Sequence, residues 1–264
     1  MLRSLYSGIS GLKNHQVRMD TIGNNISNVN TTGYKSGRVN FQDALSQYYS
    51  NNAAIGQNQI GTGMKVSSIN NNFTQGAMQA TGRTLDLAIQ GNGFFRVGTD
   101  RYTRDGIYYL RETATADTYN LVNSDGRILQ GGGGADIQIA AAAGTTVGTL
   151  NIDSLGNISG TDSAGAALSV TNGQIALFTF KNPDGLKKEG GNLYSSTTAS
   201  GTAVAGFASA TNNNTINSGY LEMSNVDLSQ EMVDMMVTQR GFQANARTIT
   251  VSDTLLEELV NLKR

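Results

Sequence analysis

The 264-residue sequence contains no cysteine. That excludes a disulfide framework and any thiolate metal site. A single histidine, His15, excludes multi-histidine zinc sites and leaves any histidine-dependent catalysis resting on one residue. Proline occurs once, at Pro183, and tryptophan is absent. Charged residues make up only 15% of the chain, and 19 basic residues nearly balance 20 acidic ones, for a net charge of −1. Such a balance argues against a general nucleic-acid binder or a polybasic membrane anchor. No apolar run approaches the roughly 18 residues of a transmembrane helix. The first ten residues lack the continuous apolar stretch of a secretory signal. On these facts alone the expected location is the cytoplasm.

What is abundant is punctuation. Glycine occurs 32 times and asparagine 27 times. Both residues favour tight turns, and a chain rich in them suits many short strands. The two ends are different. Leu2, Leu5, Ile9, Leu12, Met19 and Ile26, with Gln16 and Gly23 in the remaining positions, alternate gaps of three and four. Leu228, Met232, Met235, Gln239, Phe242, Ala246, Ile249, Asp253, Leu256 and Val260 repeat that pattern more strongly. Both are heptad stripes and predict helices. Asp227 or Ser224 is placed to cap the second, with Glu231 and Asp234 in its early turns.

A helix over 227–262 would be about 54 Å long, more than a small core can cover. It needs a partner of similar length, either the N-terminal helix or copies from other chains. Periodicity alone leaves an intramolecular hairpin and an assembly both open. The N-terminal helix is weak by itself, because Gly8, Gly11 and Gly23 each cost about 1 kcal/mol relative to alanine. Ser4 with Gly8, and Ser7 with Gly11, put small residues on one face, where a neighbouring backbone can approach closely. Excess length and a weak helix together favour assembly.

Residues 30–80 are polar and without clear period, whereas 82–222 carry strand and turn signals such as Leu85-Asp-Leu-Ala-Ile, Asp125-Gly126 and Ala176-Leu-Phe-Thr-Phe. The expected fold class is α+β. Long N- and C-terminal helices, residues 1–30 with 224–264, pack as a coiled-coil-like layer. Residues 31–81 form an extended connector, and 82–223 form an inserted, mainly-β domain.

Catalytic chemistry has little to stand on. His15 has no accompanying constellation and reads as a half-exposed helix residue. Gly91-x-Gly93 lacks the Lys-Ser/Thr of a P-loop and the third glycine of a dinucleotide fingerprint. The scattered aspartates form no calcium loop. Tyr34, Lys35 and Arg38 are too few to make a single-strand binding surface. No cofactor and no metal is expected, and no enzyme. A secreted β adhesin would explain the Gly/Asn-rich strands but not the long heptad ends.

Three long motifs carry a resemblance. Leu5-Tyr-Ser-Gly-Ile-Ser-Gly-Leu and Asp20-Thr-Ile-Gly-Asn-Asn-Ile-Ser-Asn-Val-Asn-Thr-Thr-Gly-Tyr-Lys35 open the chain. Gly82-Arg-Thr-Leu-Asp-Leu-Ala-Ile-Gln-Gly-Asn-Gly-Phe-Phe-Arg-Val and Tyr102-Thr-Arg-Asp-Gly106 lie in its middle. Ser218-Gly-Tyr-Leu-Glu-Met-Ser-Asn-Val-Asp-Leu, Gln239-Arg-Gly-Phe-Gln-Ala-Asn and Leu259-Val-Asn-Leu-Lys-Arg close it. In this order they resemble the bacterial flagellar rod and hook proteins. Within that family the short length and these motifs are most similar to the compact hook protein of Gram-positive bacteria, with a distal rod subunit as the alternative. Residues 45–75 show no obvious insertion of the rod type.

The resemblance implies a helical homopolymer with the terminal helices as its inner tube, the hook acting as a universal joint and export channel. It implies rod, hook-cap and hook–filament junction proteins as neighbours, with no nucleic acid and no membrane insertion. Export would proceed through the type III apparatus without a cleaved signal, which replaces the cytoplasmic expectation with the flagellum. Candidate assembly residues are Leu2, Leu5, Gly8, Ile9, Leu12, Met19, Ile26, Leu228, Met232, Met235, Phe242, Ile249 and Leu256. The family's Asn/Gly/Tyr-Lys stretch maps onto Asn24, Asn25, Asn28, Gly33, Tyr34 and Lys35.

Overall fold

The structure, a computed structural model, describes residues 2–52, 56–113, 115–208 and 214–262. The fold is α+β, and the chain divides into two compact units. One comprises residues 1–29, 36–72 and 226–264; the other comprises 30–35 and 73–225.

The first unit holds both long helices, α1 (Leu2–Ser27) and α2 (Leu228–Asn261). Asp227 caps α2, its carboxylate accepting from the backbone N–H of Ser229 at 2.9 Å and of Gln230 at 3.3 Å. That satisfies two of the donors a helix start leaves open. The unit also holds β1 (Gly37–Asp43), β2 (Ser46–Asn52), β3 (Gly56–Gly61) and β4 (Met64–Asn71). β1 pairs antiparallel with β4, and β2 with β3. Residues 36–72, expected as part of an extended connector, are thus two nested antiparallel ladders belonging to the helical unit. Their strand signal is weak because the residues are largely polar: β4 alternates between half-buried and exposed positions over Met64–Ser68, and it buries none of its residues fully.

The second unit is almost entirely short antiparallel strands. In chain order these are β5 (Met78–Ala80), β6 (Leu87–Gln90), β7 (Phe94–Arg96), β8 (Tyr102–Thr103), β9 (Tyr109–Glu112), β10 (Thr118–Val122), β11 (Gln138–Ala140) and β12 (Val147–Ile152). There follow β13 (Ile158–Asp162), β14 (Ser169–Thr171), β15 (Ala176–Thr179), β16 (Lys187–Gly190), β17 (Leu193–Ser195), β18 (Val204–Phe207), β19 (Thr215–Ser218) and β20 (Tyr220–Glu222). The largest sheet runs β16-β17-β8-β7-β15-β18, and a second runs β14-β11-β10-β9. β19 pairs with β6 and β20 with β5, so the last strands of the unit close on its first.

The apolar core lies in this β unit. Leu87, Ile89, Phe95, Leu121, Leu129, Ile137, Ile139, Ile175 and Leu177 are buried in one cluster, and Phe94, Tyr102, Phe178 and Tyr194 in another. Aromatic rings in the second cluster meet edge to face, as at Tyr102–Phe180 with centroids 4.9 Å apart.

Candidate assembly site

In the helical unit α1 and α2 pack antiparallel, and small residues make this possible. A Cβ at Gly11 would lie 2.7 Å from Asn245 Nδ2, and one at Gly8 would lie 3.0 Å from Thr248 Oγ1. On the other helix, a Cβ at Gly241 would come within 2.9 Å of the His15 ring. Further along, Arg18 Nη2 donates to Asp234 Oδ1 at 3.1 Å, and Asn25 Nδ2 donates to Glu231 Oε1 at 2.9 Å. The glycines that weaken α1 as an isolated helix are therefore what lets α2 approach it.

The covered stripe differs from the apolar heptad on α1, while on α2 it shares Met235, Phe242, Ile249 and Leu256 with it. On α1 the covered line follows Gly8, Gly11, Asn14, Ile22 and Asn25, with His15 and Arg18 half-buried between them. On α2 it follows Glu231, Met235, Thr238, Phe242, Asn245, Ile249, Ser252 and Leu256. Of the candidate assembly residues, Gly8 is buried, and Leu5, Leu12, Met19, Ile26, Met235, Phe242, Ile249 and Leu256 are half-buried. Ile9, Leu228 and Met232 are 52%, 43% and 46% exposed. The Leu2 side chain lies outside the described residues. Val233, Met236, Val237, Val251, Leu255 and Leu259 add to the exposed apolar surface of α2.

Asn14, His15, Asn25, Glu231, Thr238, Asn245 and Ser252 carry the contact that heptad counting misses. The small-residue spacing at Ser4/Gly8 and Ser7/Gly11 is the signal that points towards it.

Asn25 does more than line the helix contact. Its Nδ2 donates to Gly37 O at 2.9 Å, while its Oδ1 accepts from Gly37 N at 2.9 Å. A fully buried side-chain amide thus imitates a strand partner and ties β1 to α1. Asn14 Nδ2 likewise donates to Met64 O at 2.6 Å, anchoring β4. Asn28 Nδ2 donates to Asn24 O at 2.9 Å, closing the end of α1. A polar cleft of about 1040 Å3 lies in this unit, with Arg18, Ile22, Arg38, Phe41, Glu231 and Asp234 in its lining. Burial holds the Glu231 carboxyl above its ordinary pKa, and burial with the nearby Arg18 lowers that of His15.

The rest of the family stretch sits in the β unit. Gly33 has φ +66°, and a Cβ there would lie 2.6 Å from Asp105 N, so both conformation and space demand glycine. Its N–H donates to Glu222 O at 2.8 Å. Tyr34 is buried, with Lys188 Nζ 4.2 Å from its ring centroid. Lys35 is wholly buried; its Nζ donates to Glu222 Oε1 at 2.6 Å and to Thr74 O at 2.7 Å. Arg104 Nη1 donates to Glu222 Oε2 at 3.2 Å. A lysine and tyrosine so enclosed form no nucleic-acid surface. Among the described residues no group of histidine and acidic side chains could hold a metal ion, and no helix is long and apolar enough to cross a membrane.

Residues 5–35 match the family described as "Flagella basal body rod protein", 88–160 match "Flagellar hook protein FlgE/F/G D1 domain", and 217–262 match "Flagellar basal body rod FlgEFG protein C-terminal". Flagellar basal-body rod protein FlgG of Bacillus subtilis is 46% identical over 275 aligned positions, covering all of both chains. FlgG of Borreliella burgdorferi is 34% identical over 280 positions, and the flagellar hook protein FlgE of the same organism 31% over 445, each again covering both chains fully. Its relatives are structural rod and hook proteins, and the chain is a structural protein of the flagellar axis. It belongs to the flagellar rod and hook protein family.

Proposed function

We propose that this chain is a rod subunit of the flagellar basal body, of the distal-rod kind, assembling with copies of itself into a straight helical tube. The observation that carries the rod reading is length. The chain aligns with a rod relative over 275 positions at 46% identity, whereas alignment with two hook relatives extends to 445 and 463 positions. Hook relatives therefore contain large segments with no counterpart here. This displaces the hook reading that the sequence motifs favoured, and with it the need for a bending joint.

Assembly is supported by the helical unit. Its two helices meet through small and polar residues together with half-buried Met235, Phe242, Ile249 and Leu256, and leave other apolar residues uncovered, at 46–58% exposure for Met232, Val233, Met236, Val237 and Val251. Burying such surface contributes about 25 cal/mol per Å2, gained only when neighbouring copies cover it. A helical polymer needs a heterologous interface that does not close, and two distinct apolar stripes supply one. The candidate residues Leu5, Ile9, Leu12, Met19, Ile26, Leu228, Met232, Met235, Phe242, Ile249 and Leu256 then pack within and between subunits. The chain would leave the cell unfolded through the flagellar export apparatus, with other rod and hook proteins as axial neighbours.

Immunogold electron microscopy of purified hook–basal bodies tests this, using antibody against residues 111–175. Gold on the straight shaft within the envelope is expected. Gold along the curved segment outside the cell would restore the hook reading, which a 31% identical hook relative spanning the whole chain keeps in view.

A further inference from the structure

Methionine is unevenly placed in this chain. Of its 8 methionines, Met223, Met232, Met235 and Met236 crowd one short stretch. Leucine would fill an apolar stripe as well, but only methionine brings a sulfur that peroxide oxidises. The structure separates the methionines whose side chains it describes. Met19, Met64, Met78, Met223 and Met235 are half-buried. Met235 belongs to the covered line of α2, and the Met78 sulfur accepts from Asn217 Nδ2 at 3.5 Å. Met232 and Met236 are 46% and 52% exposed. They are four residues apart on α2, so their side chains lie on neighbouring turns of one face. Val233 and Val237 extend the same exposed apolar surface.

The chemistry is a two-electron oxidation. The sulfur lone pair attacks one oxygen of hydrogen peroxide, and the S–O bond forms as the O–O bond breaks. The second oxygen leaves as water, taking the proton that the first one carried. Sulfur is oxidised and peroxide is reduced. The product, a sulfoxide, is polar where the sulfide was apolar. On the separate chain, water solvates it. Against an apolar neighbour it becomes a buried acceptor without a donor, which is costly.

We propose that Met232 and Met236 form a paired oxidation site on the unassembled chain, where hydrogen peroxide makes two sulfoxides that keep the chain from joining a polymer. Sulfoxide reductases reverse the modification, so a subunit is withheld and not destroyed. The site stands on exposure and sulfur chemistry. Its effect rests on the self-assembly proposed above.

Peptide mapping by mass spectrometry, after brief treatment of the full chain with hydrogen peroxide, tests the site. Met232 and Met236 are expected to gain oxygen at least about threefold faster than Met19, Met64, Met78, Met223 and Met235. Equal rates, or faster oxidation of any of those five, would overturn the site. Light scattering tests the effect. Treated chain, its melting temperature unchanged, is expected to need at least about tenfold more protein to polymerise than untreated chain, and both classes of sulfoxide reductase together should reverse this. The double variant Met232→Leu/Met236→Leu keeps an apolar surface of similar volume and is expected to polymerise with or without peroxide. Undiminished polymerisation of the oxidised wild-type chain, or a loss that persists in that variant, would overturn the effect on assembly. Failure of the untreated chain to polymerise would instead refute self-assembly and the effect with it, and the mapping would still judge the site.

Discussion

The two units of this chain solve the problem of burial in opposite ways. The β unit encloses most of its large apolar residues and even a charged cluster, although Val204, Phe207 and Tyr109 stay about half exposed. In the helical unit, Ile22 is the only large apolar side chain fully buried among the described residues, while the other covered positions of its helix pair combine glycine, asparagine, serine and threonine with half-buried Met235, Phe242, Ile249 and Leu256. Its described leucines, valines and methionines are half-buried or exposed. A unit with a dry core is complete as a single copy. One whose best apolar surface is uncovered is incomplete, because contiguous exposed apolar area is the signature of an interface. The β unit is built to be a domain, and the helical unit to be a component.

The sharpest way to break that comparison is inside the β unit. Glu222→Gln leaves Lys35 and Arg104 buried without their counter-charge, and a lost partner in a buried pair costs about 3–5 kcal/mol. Urea unfolding of the β unit is expected to shift by that much, while helicity from α1 and α2 changes little by comparison. A loss under about 1 kcal/mol would mean that the cluster is open to water.

Next comes the close contact between the helices. Gly11→Val drives two γ-methyls towards Asn245, where even a Cβ is too close, and is expected to destabilise the pairing by about 1–3 kcal/mol. Gly8→Val acts similarly and is expected to abolish polymerisation with the β unit still folded. Normal polymers from both variants would show that the helix contact is dispensable.

A smaller effect follows from acid. His15 is held below its ordinary pKa of 6.5 by burial and by Arg18, so the folded helical unit resists the proton that the unfolded chain accepts. Its contribution is fully present above pH 6.5 and is lost as pH falls towards the folded-state value. Helix-pair stability measured between neutral and mildly acidic pH should therefore fall, and His15→Gln should flatten the profile.

The smallest expected effect on the isolated chain is the most telling. Val237→Asp changes a side chain that is 56% exposed, and its stability effect as a monomer should stay within about 0.5 kcal/mol. Polymerisation followed by light scattering should nevertheless fail, as it should for Met235→Asp. Unimpaired polymers would remove α2's exposed face from the interface.

Several of these features are legible in the residues. The heptad periods place both helices, residue type and spacing narrow the cap of α2 to Asp227 or Ser224, and glycine marks the turns. Small residues at Gly8 and Gly11 announce a close neighbour. Asn25 stands within a recognisable motif, yet no local rule says that its amide will serve as a strand partner for Gly37. The strands over 37–71 are hard to read because their alternation, as in Arg38-Val-Asn-Phe-Gln42 and Met64-Lys-Val-Ser67, is short and surrounded by polar residues. The partner of Lys35 lies 187 residues away, beyond the reach of any window.

By itself, then, the sequence determined the helical ends, the β middle and the family. Tertiary structure decided which face of each helix is covered. A one-residue shift of register turns a helix by about 100°, so an apolar heptad and a small-residue stripe can lie side by side in the same turns. Close packing placed Gly8 and Gly11 at the contact, because glycine lets two backbones approach, and left many of the other apolar side chains, such as Met232, Val233, Met236 and Val237, exposed. It also decided that a lysine, an arginine and a glutamate from distant segments would share one buried site, since the cost of burying charge is offset only where all three meet.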